Sequence, residues 1–140
     1  MDIASLDLFK DNILLFEDKV RVDEADVLAE VIQVTDLQSL VDRLGGFDNG
    51  KLGESGGGVS GGQGQRIALS RAIISQRPII LLDEATSALN EDLEANIFKW
   101  LTEQEGLSII AVSHSQSIQR WFTKELRYDL EEKTFKMWDL

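Results

Sequence analysis

Cysteine is absent from the 140 residues, proline and histidine occur once each, and 14 basic residues stand against 25 acidic ones. Each shortage excludes something. Without cysteine there is neither a disulfide framework nor a thiolate metal site, which is compatible with a reducing compartment. A net charge of −11 and a pI near 4.4 make a nucleic-acid backbone an unfavourable partner, because its phosphates are repelled. Most of the Asp and Glu residues then read as a solvated surface. No run of eighteen apolar residues occurs, so no segment reads as a membrane span. Met1-Asp2-Ile3 opens without the basic start and long apolar stretch of a signal peptide. What is present is a hydrophobic content of 43%, ordinary for the core of one domain or part of one.

The organisation reads as helical first and α/β second. Leu6, Phe9, Ile13, Leu14 and Phe16 recur at helical spacing. Asp23 is placed to cap a second helix, with Val27, Leu28, Val31 and Ile32 on one stripe. Asp36 is placed to cap a third, with Leu37, Leu40, Val41 and Leu44 inward and Gly45-Gly46 as its stop. Most of the 11 glycines then crowd into residues 53–64. This loop opens into a helix over residues 63–76, with Ile67, Ala68, Ile73 and Ile74 on its apolar side. Pro78 ends that helix and precedes Ile79-Ile80-Leu81-Leu82. Such an unalternating apolar run predicts a strand buried on both faces, as in a parallel sheet. A helix over residues 91–103 and a second apolar run over 107–112 complete one right-handed βαβ unit. A short helix near 116–122 and a hairpin from residues 125–130 and 134–140 close the chain.

Two glycine patterns compete as phosphate sites. Gly45 and Gly50-Lys51 fit the G-x-x-x-x-G-K spacing of a phosphate-cradling loop, but Leu52 stands where a magnesium-binding hydroxyl is needed. A helix instead of a strand precedes it, and residues 53–58 are too glycine-rich to begin a helix, so the fit is coincidental. Ser60-Gly61-Gly62-Gln63 does sit directly before a predicted helix. Ser60 can cap it, the glycines admit close backbone approach, and the free N–H groups of the first turn favour an anion. Alone, this pattern reads first as a capped loop. In the same way His114 alone reads as a core or turn residue, and Asp83-Glu84 could merely cap the next element.

The order of these pieces carries more than any one of them. Val59-Ser60-Gly61-Gly62-Gln63-Gly64-Gln65-Arg66 resembles the signature of ATP-binding cassette (ABC) ATPases, and Ile67-Ala68-Leu69-Ser70-Arg71-Ala72 continues it. Pro78 through Leu82 followed by Asp83-Glu84-Ala85-Thr86-Ser87-Ala88-Leu89 resembles the Walker B strand and its adjoining D-loop. Residues 108–113 and His114 resemble the strand and switch histidine of the H-loop. Gly53-Glu54-Ser55-Gly56 and Asp11-Asn12-Ile13 are similar to segments of exporter-type members. Three features depart from the pattern: Val59 for leucine, Asn90 for the usual D-loop aspartate, and Ser115 where exporters often carry a basic residue. The DNA-repair branch that shares these motifs predicts heptad coiled coils and a signature without Gln65-Arg66, and neither fits.

The resemblance implies the α/β P-loop NTPase fold in its C-terminal part. Residues 1–76 would form a helical subdomain ending in the signature helix, and residues 77–140 the C-terminal part of the RecA-like core. It implies Glu84 as general base, His114 as a γ-phosphate contact, and Asp83 on Mg2+ through water. It further implies Ser60, Gly61, Gly62 and Gln63 as a lid on ATP held by another subunit, with Ser87, Ala88, Leu89 and Asn90 as the D-loop along that partner. The expected partners are a Walker A-bearing half or second nucleotide-binding domain and a transmembrane domain, at the cytoplasmic side of a membrane. ATP and Mg2+ would then need a cradle that residues 1–140 do not encode. A helix N-terminus gives an anion about 0.3–1 kcal/mol, whereas micromolar ATP needs about 8 kcal/mol. The isolated chain is therefore expected to bind ATP weakly or not at all, and to self-associate through an exposed strand edge or helical face. A natural half-domain that completes another subunit's site in trans is the alternative.

Overall fold

The computed structural model describes residues 8–14, 24–52 and 58–140. Four helices come first: α1 (Phe9–Ile13), α2 (Glu24–Val34), α3 (Gln38–Arg43) and α4 (Gly61–Ile74). Then follow β1 (Ile79–Asp83), α5 (Glu91–Thr102), β2 (Ser108–Val112), a 3-10 turn (Gln116–Trp121), β3 (Lys124–Asp129) and β4 (Thr134–Asp139). Leu6, Phe16, the Asp23 cap and the Gly53-Glu54-Ser55-Gly56 segment lie outside the described residues.

The role expected of Asp36 is corrected. It does not cap α3, whose first residue is preceded by Leu37 in helical geometry without a side-chain cap. Asp36 instead sits at φ +52 and closes α2, with its N–H on the Gln33 carbonyl and that of Leu37 on the Ile32 carbonyl. That is a Schellman ending, and aspartate tolerates its left-handed position better than most non-glycine residues. Gly45 and Gly46, at φ +90 and +106, close α3 in the same manner, as expected from the sequence. The coincidental phosphate motif has a purely local job. A Cβ on Gly50 would lie 2.6 Å from the Gly46 carbonyl oxygen, and Lys51 bridges Leu8 in an isolated antiparallel pair.

Strands β1 and β2 pair in parallel, with Ile79 opposite Ser108 and Asp83 opposite Val112. The expectation that both faces are buried is corrected. Ile80 and Leu82 are 5–6% exposed, while Leu81 is 72%, Ile110 58% and Val112 59% exposed. The helices cover one face only, and among the described residues no layer lies over the other. The terminal hairpin pairs β3 with β4 antiparallel, from Lys124 opposite Asp139 to Asp129 opposite Thr134. Tyr128 and Phe135 meet edge to face across it at 5.1 Å.

Two apolar clusters organise the chain. Phe9, Ile13, Ile32, Leu37, Leu40, Val41, Leu52 and Ile67 form one. Leu69, Ile73, Ile80, Leu82, Ile97, Phe98 and Leu101, with Val31 and Ile118, form the other. Helix α4 contributes to both, because residues two and six positions beyond Ile67 turn to a different side of it. Its polar positions are paired where buried. Ser70 meets Thr35 at 3.0 Å, and the Arg71 Nε donates to the Asn12 carbonyl at 2.6 Å. Burial lowers the Arg71 pKa from its ordinary value, but a guanidinium in a protein stays charged. No helix among the described residues is long and apolar enough to cross a membrane.

Candidate functional site

Parallel pairing in register brings the C-terminal ends of β1 and β2 side by side, so the loops that follow them are neighbours. In open α/β sheets this is the edge where ligands bind. Glu84 is the first residue past β1 and sits at φ +46, its N–H donating to the Val112 carbonyl at 2.9 Å. A non-glycine residue in the left-handed region is strained, and such positions cluster at functional sites. The turn brings the Glu84 Oε1 to 3.2 Å from the Nε2 of His114, with both side chains open to solvent. Asp83 is exposed beside them.

The loop after Glu84 is held from two sides. From α4, the Gln65 Nε2 donates to the Ser87 hydroxyl at 2.9 Å, and the Gln65 Oε1 accepts from the Ala88 N–H at 2.9 Å. From α5, Glu94 accepts from the Thr86 hydroxyl at 2.7 Å, and on its other oxygen from Ser115 at 2.8 Å and Ser117 at 2.6 Å. Burial pushes the Glu94 carboxyl pKa up, but the hydroxyl donors outweigh it and hold the group below its ordinary value. Asn90 caps α5, its Oδ1 accepting from the Leu93 N–H at 2.9 Å. The asparagine that departs from the family pattern thus has a structural job an aspartate would do equally.

The glycine loop begins α4 as expected, two residues earlier than the predicted start. Ser60 is the N-cap, and Gln63 returns a bond to the Ser60 N–H, completing a capping box. Arg43 fastens this end from α3 through the Gly58 carbonyl at 2.9 Å. A Cβ on Gly62 would lie 3.2 Å from the Ala88 carbonyl oxygen, whereas nothing lies within 4 Å of one on Gly61. Gly62 therefore allows close approach to the loop after β1, and Gly61 faces open space. The structure brings Glu84 to His114 and the glycine loop to Ala88. Among the described residues no hydrogen bond or ion pair joins residues 60–63 to Glu84 or His114.

Sequence reasoning missed Gln65, Thr86, Glu94 and Ser117. Gln65 was visible only as part of the Gln65-Arg66 pair. Glu94 had a legible signal, since residues 94, 97, 98 and 101 lie on one helical stripe and the other three are Ile97, Phe98 and Leu101. A carboxylate on that stripe must be buried and must find donors. For a divalent ion, no group of three His, Asp or Glu side chains stands ready among the described residues. Asp83 offers one exposed carboxylate, which suits Mg2+, an ion that keeps several waters and takes one or two protein oxygens beside phosphates. The concavities between α2 and α5, of about 340 and 710 Å3, include neither Asp83, Glu84 nor His114. The strand-end site is an open surface.

Comparison with known proteins identifies the family and the fold. The chain is 42% identical over 87 residues to the β-(1→2)glucan export ATP-binding/permease protein NdvA of Rhizobium meliloti, covering 62% of this chain and 14% of that one. It is 38% identical over 117 residues to the ATP-dependent lipid A-core flippase of Neisseria meningitidis, covering 80% and 19%. It is also 38% identical over 93 residues to the mycobactin import ATP-binding/permease protein IrtB of Mycolicibacterium smegmatis, covering 66% and 16%. The solved structure of a bacterial Atm1-family ABC exporter with ATP bound superposes with a TM-score of 0.72 at 26% identity, over 86% of this chain and 21% of that one. The chain thus spans less than a fifth of the length of these curated relatives. The ABC transporter family matches residues 4–87, more than half of the chain. Because that match runs through the capped glycine helix and past the end of β1, the chain belongs to the ABC transporter family.

Proposed function

We propose that these residues form the signature and Walker B portion of an ATP-hydrolysing domain that powers an ABC exporter. The observation that carries the reading is the 3.2 Å contact between Glu84 and His114 at the adjoining ends of two parallel strands. Hydrolysis needs a water in line with the γ-phosphate, a group to take its proton, and partners for the phosphate charge. The Glu84 carboxylate takes that proton, a role that supplies about 10²–10⁴-fold in rate. His114 orients Glu84 and reaches the γ-phosphate. Asp83 holds the water shell of Mg2+, which when bound neutralises charge on the phosphates. Ser60, Gly61, Gly62 and Gln63 close over ATP carried by the partner domain, and residues 87–90 lie along that partner.

The division at residues 76 and 77 belongs to the same reading, with the signature helix as the end of a helical subdomain. The phosphate cradle comes from a Walker A-bearing region, either joined to this chain or on another subunit. A transmembrane domain at the cytoplasmic face couples hydrolysis to transport, as the names of the ATP-binding/permease relatives support. Relatives named for export and one named for import are both similar to this chain; export is the reading that NdvA and the Atm1-family exporter favour. The alternative, a half-site acting in trans, is favoured by the bare face at Leu81, Ile110 and Val112, which a second polypeptide could cover.

Two measurements test the proposal. Titration calorimetry of residues 1–140 with MgATP should show no micromolar binding. In a protein that joins this chain to a Walker A-bearing half, Glu84→Gln should lower kcat by about 10²–10⁴-fold while nucleotide still binds. Undiminished turnover in that variant would remove Glu84 from its role.

A further inference from the structure

Glu94 is 4% exposed and lies on the buried stripe of α5 with Ile97, Phe98 and Leu101. A buried carboxylate is costly unless it is fully hydrogen-bonded, and a well-packed apolar residue is often as stable or more so. Helix capping does not explain it, because Asn90 already caps α5. No Lys, Arg or His among the described residues pairs with it. Its partners are three hydroxyls, and their positions in the chain are informative. Thr86 lies two residues after Glu84, Ser115 directly follows His114, and Ser117 is the second residue of the 3-10 turn beyond. Ser115 and Ser117 also meet each other at 2.7 Å, so the second loop is drawn onto one carboxylate oxygen and the first loop onto the other.

We propose that Glu94 is a positioning residue that ties the loop carrying Glu84 to the loop carrying His114, and so fixes the spacing between the two side chains. The geometric part stands on its own, and its consequence for hydrolysis rests on the function proposed above. The side chains of Glu84 and His114 are themselves exposed and, among the described residues, pair with one another, so their spacing needs a rigid support beneath. Glu94 supplies that support without reaching the reacting atoms. Glutamine at this position keeps the shape but has one accepting oxygen, so the hydroxyls on its NH2 side must turn to accept and the bonds lose the strength that the carboxylate charge gives them.

Amide hydrogen exchange on this chain, with the NMR signals of its sole histidine, provides the test. In Glu94→Gln, exchange at residues 85–88 and 113–117 should quicken by about ten-fold, while α4 and the hairpin are unchanged. The His114 ring signals should shift together with those amides. Ile97→Val on the same helix provides the comparison, because it weakens packing without touching the hydroxyls. Equal effects in both loops from Ile97→Val and Glu94→Gln would reduce Glu94 to a packing role and overturn the proposal. If Glu94→Gln does not fold, the double variant Ser115→Ala, Ser117→Ala, which releases the second loop from Glu94, should quicken exchange at residues 113–117 and shift the His114 ring signals; unchanged exchange and ring signals there would overturn the tie. In the protein completed by a Walker A-bearing half, Ser115→Ala should lower kcat with KM for ATP unchanged. A wild-type protein that binds ATP without hydrolysing it would remove the assigned reaction and leave the exchange result to decide the tie.

Discussion

The α1–α3 region and the strand region are finished to different degrees. Around α1 and α3, Phe9, Ile13, Leu37, Leu40 and Leu52 are 0–1% exposed, enclosed by residues of the same chain. In the strands, Ile80 and Leu82 are enclosed but Leu81, Ile110 and Val112 are bare, as are Phe135 and Met137 in the hairpin at 65% and 61%. The difference teaches where each region gets its stability. The helical cluster is self-sufficient, whereas the sheet has an apolar face of the kind that marks a contact with another polypeptide layer.

Truncation tests this contrast with the largest effect. Phe9→Ala should destabilise the chain by about 3–5 kcal/mol in denaturant unfolding, and Leu81→Ala should stay within about 0.5 kcal/mol. A large loss from Leu81→Ala would mean that the bare face is covered in solution.

Acid should separate the regions next. Among the described residues, three carboxyls are held below their ordinary values, and all lie after β1: Glu94 through its hydroxyl donors against the cost of burial, Glu125 through Arg127, and Asp129 through the Glu132 N–H and then Lys136. A lowered folded-state pKa contributes stability that is complete above the unfolded value and lost as pH falls through the folded one. For Glu94 that window lies below 4.5. Amide exchange from pH 6 down to about 3 should therefore loosen the loops at 85–88 and 113–117 before α1 and α3. Simultaneous loosening would erase the distinction.

The smallest effect concerns association. The bare sheet should draw chains together, and Leu81→Lys with Val112→Lys should shift sedimentation towards monomer with little change in stability. A wild-type chain that sediments strictly as monomer would count against this.

The sequence made the helices, the parallel pair and the hairpin legible because periodicity reports which faces are apolar. It misled at β1 and β2 for a related reason: an unalternating run says that both faces seek cover without saying what covers them. Asp36 misled because one residue type serves both helix starts and left-handed helix ends. The place of Ser60 at a helix start and of Glu84 and His114 at the ends of β1 and β2 was legible through motif order. Gln65 and Thr86 were not, since their roles are contacts between elements distant in sequence and no local pattern encodes those.

Glu84 has one more consequence, for anyone who would engineer this chain. At φ +46 it occupies a position that glycine would fill with less strain, where a non-glycine residue costs about 1–3 kcal/mol. A redesign guided by thermal stability alone would favour Glu84→Gly and so select away the carboxylate that pairs with His114. Under the function proposed above, robustness and turnover would compete here at a single backbone angle.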